Sequence, residues 1–543
     1  MINIEINIHL QLMNNKDWKN KLLVRLNRQS IAAIMAQPLA IALGVAVVFM
    51  LRFANCLPFS DSTRIFNYET ASTLASYLIY SNEPFTFPLG AIKGLTYPFN
   101  DANIGNVGAI PLFAIVFKCL CKIFPFFKTF DYFVLVEILS CFWTAYFAQK
   151  TLMMLGVNRV VLRFLGALLT GTSFLLMTRS GWLQPFCVVS FPLFMAWVHA
   201  MLLTLQRGVW NVKQDTLIVF LFPIAALTDN YTLVGILMAT SALLVRELFE
   251  AYFGGRASSW NRASRILFFC LAGTILSILA LYLIGMFPLP SIPNSYSSYD
   301  FGMGGRYHTA DLFGPWIPVA NTVFNFPEPS LLAQLGFPLN TDKLGPGQYE
   351  GVAYIGTPLL LLSIFLALGW IVCKVKSMSL RQAAVKHNPS RLVLYSPWKK
   401  VGLGIVAVFV FSLGYELHVF GFAFPNFSGM PAAWISDRIT SFYNIRATGR
   451  LASLLSMFII LESIRVLNAV VQQQRLFDKI RNPIASPKGV IVVVSILVMV
   501  HLAEIAPFLR PVGAQPSHPV GGVFSQEEIE KLQHLASHYD KVL

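Results

Sequence analysis

The chain has 543 residues, of which 55% are hydrophobic and only 12% charged. A helix needs about 20 apolar residues to cross the hydrocarbon core of a bilayer. Many runs approach that length, which excludes an ordinary soluble enzyme and indicates a polytopic helical membrane protein. The net charge of +15 is not a nucleic-acid signature, because the basic residues cluster in alternate loops, the positive-inside bias of membrane proteins.

Lys16, Lys19, Lys21, Arg25 and Arg28 precede a first span at 32–52 and set the N-terminal segment 1–31 on the cytoplasmic side. No small-residue cleavage site follows, so this span reads as an anchor. Further spans are expected at 132–153, 160–178, 186–205, 215–228, 231–251, 265–286, 353–374, 402–421, 451–471 and 489–508. Under this count the basic sets Lys150/Arg159/Arg163, Arg207/Lys213, Arg246/Arg256/Arg262/Arg265, 374–400 and 475–488 all fall on one side. The pattern predicts an all-α transmembrane bundle of about 11 spans over 32–508. The 215–228 run is short enough to be re-entrant. The 109–124 run, broken by Lys118 and Lys122, reads as a juxtamembrane amphipathic helix, because counting it as a span reverses every later loop.

Long loops then gather on the outer face, at 54–131, 287–352 and 422–449. They are rich in Gly, Pro, Tyr and Phe, a composition that favours ordered, functional loops over disorder. The outer-face tail 509–543 passes through a Pro/Gly linker to Ser525-Gln526-Glu527-Glu528, a capping-type helix start. Two readings stand for it: a frayed tail, or the start of a small C-terminal domain.

The first outer loop holds acidic residues in an aromatic, Pro-rich setting. Asp61 follows Phe59-Ser60 near the membrane exit, Glu83-Pro84-Phe85 comes next, and Asp101 closes Tyr97-Pro98-Phe99-Asn100. A carboxylate held at the membrane face suits a general base for a lipid-linked substrate. Asp61 is the first choice, although Ser60 or Asp61 would equally cap a helix over 63–80. Glu69, about two helical turns on, shares that face unless it is simply solvated. Asp101 serves as well for a turn cap. For an anionic phosphate, Arg446 and Arg450 lie four residues apart on one face of a helix entering the membrane, and arginine's planar fork matches phosphate oxygens. Interfacial snorkelling is their alternative role. Arg179, beside Trp182, and Arg306-Tyr307-His308 supply further cations, while Tyr349 and Glu350 before the eighth span suit sugar hydroxyls or a helix cap.

Other chemistries leave little trace. The seven cysteines include only a lone C-x-C at Cys119 and Cys121, with no zinc or disulfide spacing. No G-x-x-x-x-G-K-[ST] or strand-led G-x-G-x-x-G binds a nucleotide. Glu137, His199, Glu416, Glu462, Arg465, His501 and Glu504 fall within spans and would serve a proton relay in a transporter. Inverted repeats and paired broken spans, the usual companions of a transport site, are not evident. Glu462 and Arg465, three apart, suit an ion pair, and His501 and Glu504 repeat the spacing.

Asp61-Ser62-Thr63-Arg64, Pro84-Phe85-Thr86-Phe87-Pro88-Leu89-Gly90, Ile110-Pro111-Leu112-Phe113-Ala114-Ile115-Val116-Phe117-Lys118, Tyr349-Glu350-Gly351-Val352-Ala353-Tyr354-Ile355-Gly356 and Ile445-Arg446-Ala447-Thr448-Gly449-Arg450 occur in this order along the chain. Together they resemble a bacterial integral-membrane family of GT-C glycosyltransferase type, over nearly the whole chain. The resemblance implies a polyprenyl-phosphate-linked sugar donor, an outer-face glycan, lipid or protein acceptor, inverting transfer, and an acidic base in the first outer loop. It also implies the bacterial inner membrane, a lipid surround and no nucleic-acid partner. No cofactor is read from the chain; a divalent metal stays open. One departure stands out: Val107-Gly108-Ala109 occupies the place of the family's second acidic residue, so Asp101 substitutes for it or that role is absent. A lipid-linked glycan flippase and a non-enzymatic envelope assembly protein are the alternatives.

Overall fold

The computed structural model describes residues 37–51, 68–94, 102–105, 107–129, 132–180, 186–207, 210–255, 257–286, 310–316, 353–364, 389–413, 417–419, 422–424, 448–476 and 487–509. Helices dominate: α1 (Pro38–Met50), α2 (Tyr68–Asn82), α3 (Pro111–Ile123), α4 (Tyr132–Met154), α5 (Val160–Gly171), α6 (Phe174–Arg179), α7 (Phe186–Arg207), α8 (Val212–Ala226), α9 (Asn230–Gly254), α10 (Ala257–Ile284), α11 (Pro389–Ser412), α12 (Ser453–Leu476) and α13 (Pro487–Leu509). Residues 357–364 are also helical.

Seven segments among the described residues are long and apolar enough to cross a membrane: Tyr132–Met154, Val160–Arg179, Cys187–Arg207, Asn230–Gly254, Ala257–Ile284, Gly449–Ala469 and Gly489–Leu509. They coincide with seven of the expected spans. The other expectations fall on shorter or only partly described helices. The 32–52 run gives α1, which Pro38 opens at the position where a missing N–H costs nothing. The 215–228 run gives α8, whose 15 residues reach about 22 Å at 1.5 Å per residue, short of a full hydrocarbon core.

One expectation needs correction. The 402–421 span does not hold: α11 runs Pro389–Ser412, and the chain then pairs β1 (Leu417–Val419) with β2 (Phe422–Phe424) as an antiparallel hairpin. The apolar run continues past Ser412, but hydropathy alone does not separate a strand from a helix there. The 160–178 span holds as Val160–Arg179, with a break inside it between α5 and α6. The Thr172 hydroxyl donates to the Leu168 carbonyl at 2.7 Å, and the Ser173 hydroxyl accepts from the Leu176 N–H at 3.2 Å, so one helix ends and a new one is capped.

The helices divide into a core and a rim. Val160–Arg179 is the most enclosed segment, and α10 and α13 the least. Leu267, Leu271, Ile275, Ile278 and Tyr282 of α10 recur at three- and four-residue spacing and stay exposed, the stripe a lipid-facing helix carries. Inside, the Trp197 indole N–H donates to Thr240 Oγ1 at 2.9 Å, joining α7 to α9. Trp398 of α11 stacks on Phe458 of α12 at 4.5 Å and donates to Glu462.

The bundle has two chemically different ends. At one, Arg265 pairs with Asp215 at 2.6 Å, and Glu247 accepts from Arg262 at 2.7 Å and from Lys400 at 2.5 Å. Glu250 accepts from Lys400 and Arg246. The first turns of α8 and α10, the last turns of α9 and the middle of α11 thus meet where the sequence gathers its basic residues. We call this the basic end. Nearer the middle of α12, Glu462 and Arg465 form the expected pair, at 2.6 Å. The opposite end carries the folded loops.

Candidate functional site

At the loop-rich end, residues 83–94, 102–105 and 107–110 form a hydrogen-bonded cover. Glu83 accepts from the backbone N–H groups of Lys93 at 3.0 Å and Gly94 at 2.5 Å, so this loop carboxylate closes a turn. Ile92 N–H bonds to Ala102 O and Ile104 N–H to Gly90 O, at 3.0 and 2.8 Å. The Asn103 side chain then ties the cover down: its carbonyl accepts from Gly105 N–H, and its amide donates to Ile284 O at the end of α10. Leu89 N–H reaches Leu283 O at 2.9 Å. Gly285 makes this approach possible. Its φ is +82°, and a side chain there would run into Pro88.

Helix α3 follows the cover. Its first turn meets the end of α8, Leu112 N–H to Leu227 O at 2.9 Å, and Tyr132 at the head of α4 donates to Ala109 O at 3.0 Å. After α3 the chain therefore returns to the end of the bundle at which α3 starts. Lys118, one of the two lysines that break this apolar run, is buried. Its ammonium sits 3.7 Å from the Tyr80 ring centroid and 4.8 Å from that of Phe85, and donates to Pro84 O at 3.4 Å. Burial pushes this amine down to about 8, while Glu83 pulls the other way.

Of the residues singled out from sequence, Arg179 and Arg450 are described with their surroundings. Arg179 closes α6 and is buried, its guanidinium carbon 5.6 Å from the Phe191 ring. The next residue, Ser180, donates to Glu137 of α4, so that intramembrane acid has a local hydroxyl partner. Arg450 lies in a 3-10 turn, Thr448–Ala452, ahead of α12. The α-helix proper begins at Ser453, and Arg446, the residue expected to share a helical face with Arg450, lies outside the described residues. Glu69 lies in the first turn of α2. Asp61, Asp101, Arg306, His308, Tyr349, Glu350 and Arg446 lie outside the described residues.

A residue that the sequence reading passed over completes the site. Asp229 caps α9: its carboxylate accepts from Tyr231 N–H at 3.2 Å, from Thr232 N–H at 3.0 Å and from the Thr232 hydroxyl at 2.6 Å. Arg450 stands over the ring of the intervening Tyr231, 4.9 Å from its centroid. Burial pushes the Asp229 carboxyl up, and the Thr232 hydroxyl, Arg450 and the two backbone donors pull it back. The signal was present as Thr228-Asp229-Asn230 directly before an apolar run, the signature of a helix start. Helix α7 connects this cluster to the other cation. Phe191 bears Arg179, and Phe194 on the next turn packs with Leu451 against Gly235 of α9.

A second acid is anchored by other elements. Glu504 of α13 accepts from the Thr357 N–H and hydroxyl, and Tyr354 hydrogen-bonds Thr357 at 2.9 Å. His501, one turn earlier, goes instead to Thr172 at 3.0 Å, so the equal spacing does not make His501 and Glu504 a pair. Residues 310–316 pack on the same region, with Ala310 N–H on Ser412 O and Ile355 N–H on Pro315 O. Among the described residues no three His, Cys, Asp or Glu side chains gather as a metal site.

What the cluster offers chemically is a fixed positive charge at the loop-rich end, held by a buried acid and an aromatic face. Residues 41–498 match a family described as a domain of unknown function, DUF6311. No curated protein matches the chain.

Proposed function

The chain belongs to the DUF6311 family, whose description states no activity, and we propose, from the resemblance of its ordered motifs together with its own chemistry, that it is a membrane glycosyltransferase of GT-C type. In this reading about 11 spans carry an outer-face site, with the N-terminus cytoplasmic in a bacterial inner membrane. A sugar moves from polyprenyl phosphate to a glycan, lipid or protein acceptor. The acceptor oxygen attacks the anomeric carbon as the carbon–oxygen bond to the phosphate breaks, which inverts the centre. The acceptor proton passes to a carboxylate, and polyprenyl phosphate leaves with the bonding pair.

The observation that carries the proposal is the Arg450–Tyr231–Asp229 cluster at the end of the bundle where the folded loop cover lies. A departing phosphate needs a preorganised cation, and Arg450, half-buried and held over the Tyr231 ring, is assigned that part, with Arg446 and Arg179 as further cations. Asp61 is assigned the base, with Asp101 and Glu69 as the other acids of the first loop. Arg306, His308, Tyr349 and Glu350 are assigned to the sugar and acceptor. The absence of a nucleotide-binding motif in the sequence fits a lipid-borne donor.

The test uses purified full-length protein with polyprenyl-phosphate sugars. Acceptor-dependent release of polyprenyl phosphate, reduced roughly 10²–10⁴-fold in Asp61→Asn as for loss of a general base, is the expected result. Translocation of the lipid-linked sugar without bond cleavage would replace transfer by a flippase function. Reporter fusions near residues 210, 258 and 385 should report inside and those near 320 and 435 outside. An inside report near 320 would remove the outer site.

A further inference from the structure

At the basic end, away from the chemistry proposed above, one arginine is left with donors to spare. Arg265 of α10 is fully buried, and Asp215 takes its Nη2 at 2.6 Å. Among the described residues its Nε and Nη1 have no hydrogen-bond partner. A buried guanidinium that leaves most of its N–H groups unmet is costly, and native proteins satisfy such donors with protein, water or a ligand. Asp215 cannot turn to meet them, because the Asn211 N–H holds its other oxygen at 2.8 Å. On the first turn of α8 the Gln214 amide nitrogen is buried and unmet too, while Gln214 Oε1 accepts from Arg207.

The surroundings indicate what arrives there. The Trp210 ring lies 5.8 Å from the Arg265 guanidinium carbon and 5.5 Å from the ring of Phe268. Trp210 and Phe268 are themselves about half exposed, and Val212, Leu217 and Phe220 continue the apolar surface along α8. Exposed aromatics beside arginines at the end of a spanning bundle mark the depth of lipid headgroups. Exposed Arg207 and Lys213 add positive charge around the same turn. We infer that Arg265, with the Gln214 amide, binds the phosphate of an anionic phospholipid in the leaflet at the basic end, with Trp210 and Phe268 against the start of its acyl chains. Arginine donors suit phosphate oxygens, and the neighbouring cations favour a headgroup with net negative charge over a zwitterionic one.

The experiment is native mass spectrometry of the full-length protein, delipidated and then given phosphatidylglycerol or phosphatidylcholine, with melting curves recorded in parallel. Wild-type protein should retain phosphatidylglycerol about tenfold better, as the two neighbouring cations Arg207 and Lys213 would give. Arg265→Lys keeps a charge for Asp215 but loses the spare guanidinium donors, and should lower retention of phosphatidylglycerol about tenfold, as loss of one or two charge-assisted hydrogen bonds would give. A wild type without preference, or a folded Arg265→Lys protein that retains phosphatidylglycerol as well as wild type does, overturns the proposal. Should Arg265→Lys fail to fold, Trp210→Ala with Phe268→Ala decides: lower retention of phosphatidylglycerol supports the site, and unchanged retention overturns it. Inorganic phosphate that raises the melting temperature as much as phosphatidylglycerol does would make the ligand a free phosphate and overturn the lipid.

Discussion

Arg450 stands over the ring of Tyr231, its guanidinium carbon 4.9 Å from the centroid, and its charge acts on the buried carboxylate of Asp229. A 3-10 turn and a helix cap, more than two hundred residues apart in the chain, thus hold one cation in place. If that cation serves a departing phosphate, Arg450→Ala should reduce sugar transfer by roughly 10²–10³-fold, the scale of losing one preorganised stabilising group. Arg450→Lys should recover only part, since a point charge lacks the planar fork. Transfer rates for the two variants, at matched melting temperatures, check this. Normal turnover in Arg450→Ala would move the phosphate site elsewhere.

Asp229 has two separable contributions. As a cap, Asp229→Ala should cost about 1 kcal/mol and Asp229→Asn much less, because asparagine also accepts from Tyr231 and Thr232 N–H groups. As a buried charge it acts in the opposite sense. Its folded pKa is raised, chiefly by burial, so the folded state holds the proton more tightly than the unfolded one. The stability it contributes is complete below about pH 4, the ordinary aspartate value, and is lost as pH rises through the folded pKa. Denaturation of wild type and Asp229→Asn at several pH values should show wild type losing ground to asparagine as pH increases. Parallel pH curves would contradict it.

How much of this was legible in the sequence depended on the interaction involved. The spans at 132–153, 186–205 and 489–508 were readable to within a few residues, because a bilayer demands a continuous apolar run and that run is local. The end of α11 was not, since Leu417-His418-Val419 is as apolar as a helix tail and only pairing with Phe422–Phe424 makes it a strand. Lys118 read as a break in an apolar segment. Its burial comes from Tyr80 and Phe85, which no local pattern connects to it. Asp229 carried a cap signature, but its tie to Arg450 is tertiary. The acid chosen from sequence, Asp61, lies outside the described residues, so the base remains a sequence-based assignment.

Lys118 gives a pH test with a distinct sign. Burial lowers its folded pKa to about 8, against roughly 10.4 for an unperturbed lysine. Between those values the unfolded chain holds the proton and the folded protein does not, so stability rises with pH across the window. Lys118→Met has no proton to lose and should abolish that rise. Melting curves between pH 7 and 10 for both proteins measure it. A rise that survives in Lys118→Met belongs to some other group.

At the basic end, Glu247 is fully buried between Arg262 and Lys400, while Arg246 and Glu250 form a neighbouring pair whose arginine is 45% exposed. Desolvation makes these two pairs unequal. Removing one member of a buried pair strands the other charge and costs about 3–5 kcal/mol, whereas an exposed pair contributes roughly 0–1 kcal/mol. Glu247→Ala should fall near the lower end of the first range, because Lys400 keeps Glu250 at 2.5 Å and both cations retain some contact with water. Arg246→Ala should change stability by less than about 1 kcal/mol. Replacing Glu247, Arg262 and Lys400 together with Met should recover most of the Glu247→Ala loss, since an apolar substitute removes the desolvation cost along with the attraction. Unfolding of the three variants in one detergent ranks them. Arg246→Ala proving as damaging as Glu247→Ala would show that burial does not govern the ion pairs joining α9, α10 and α11.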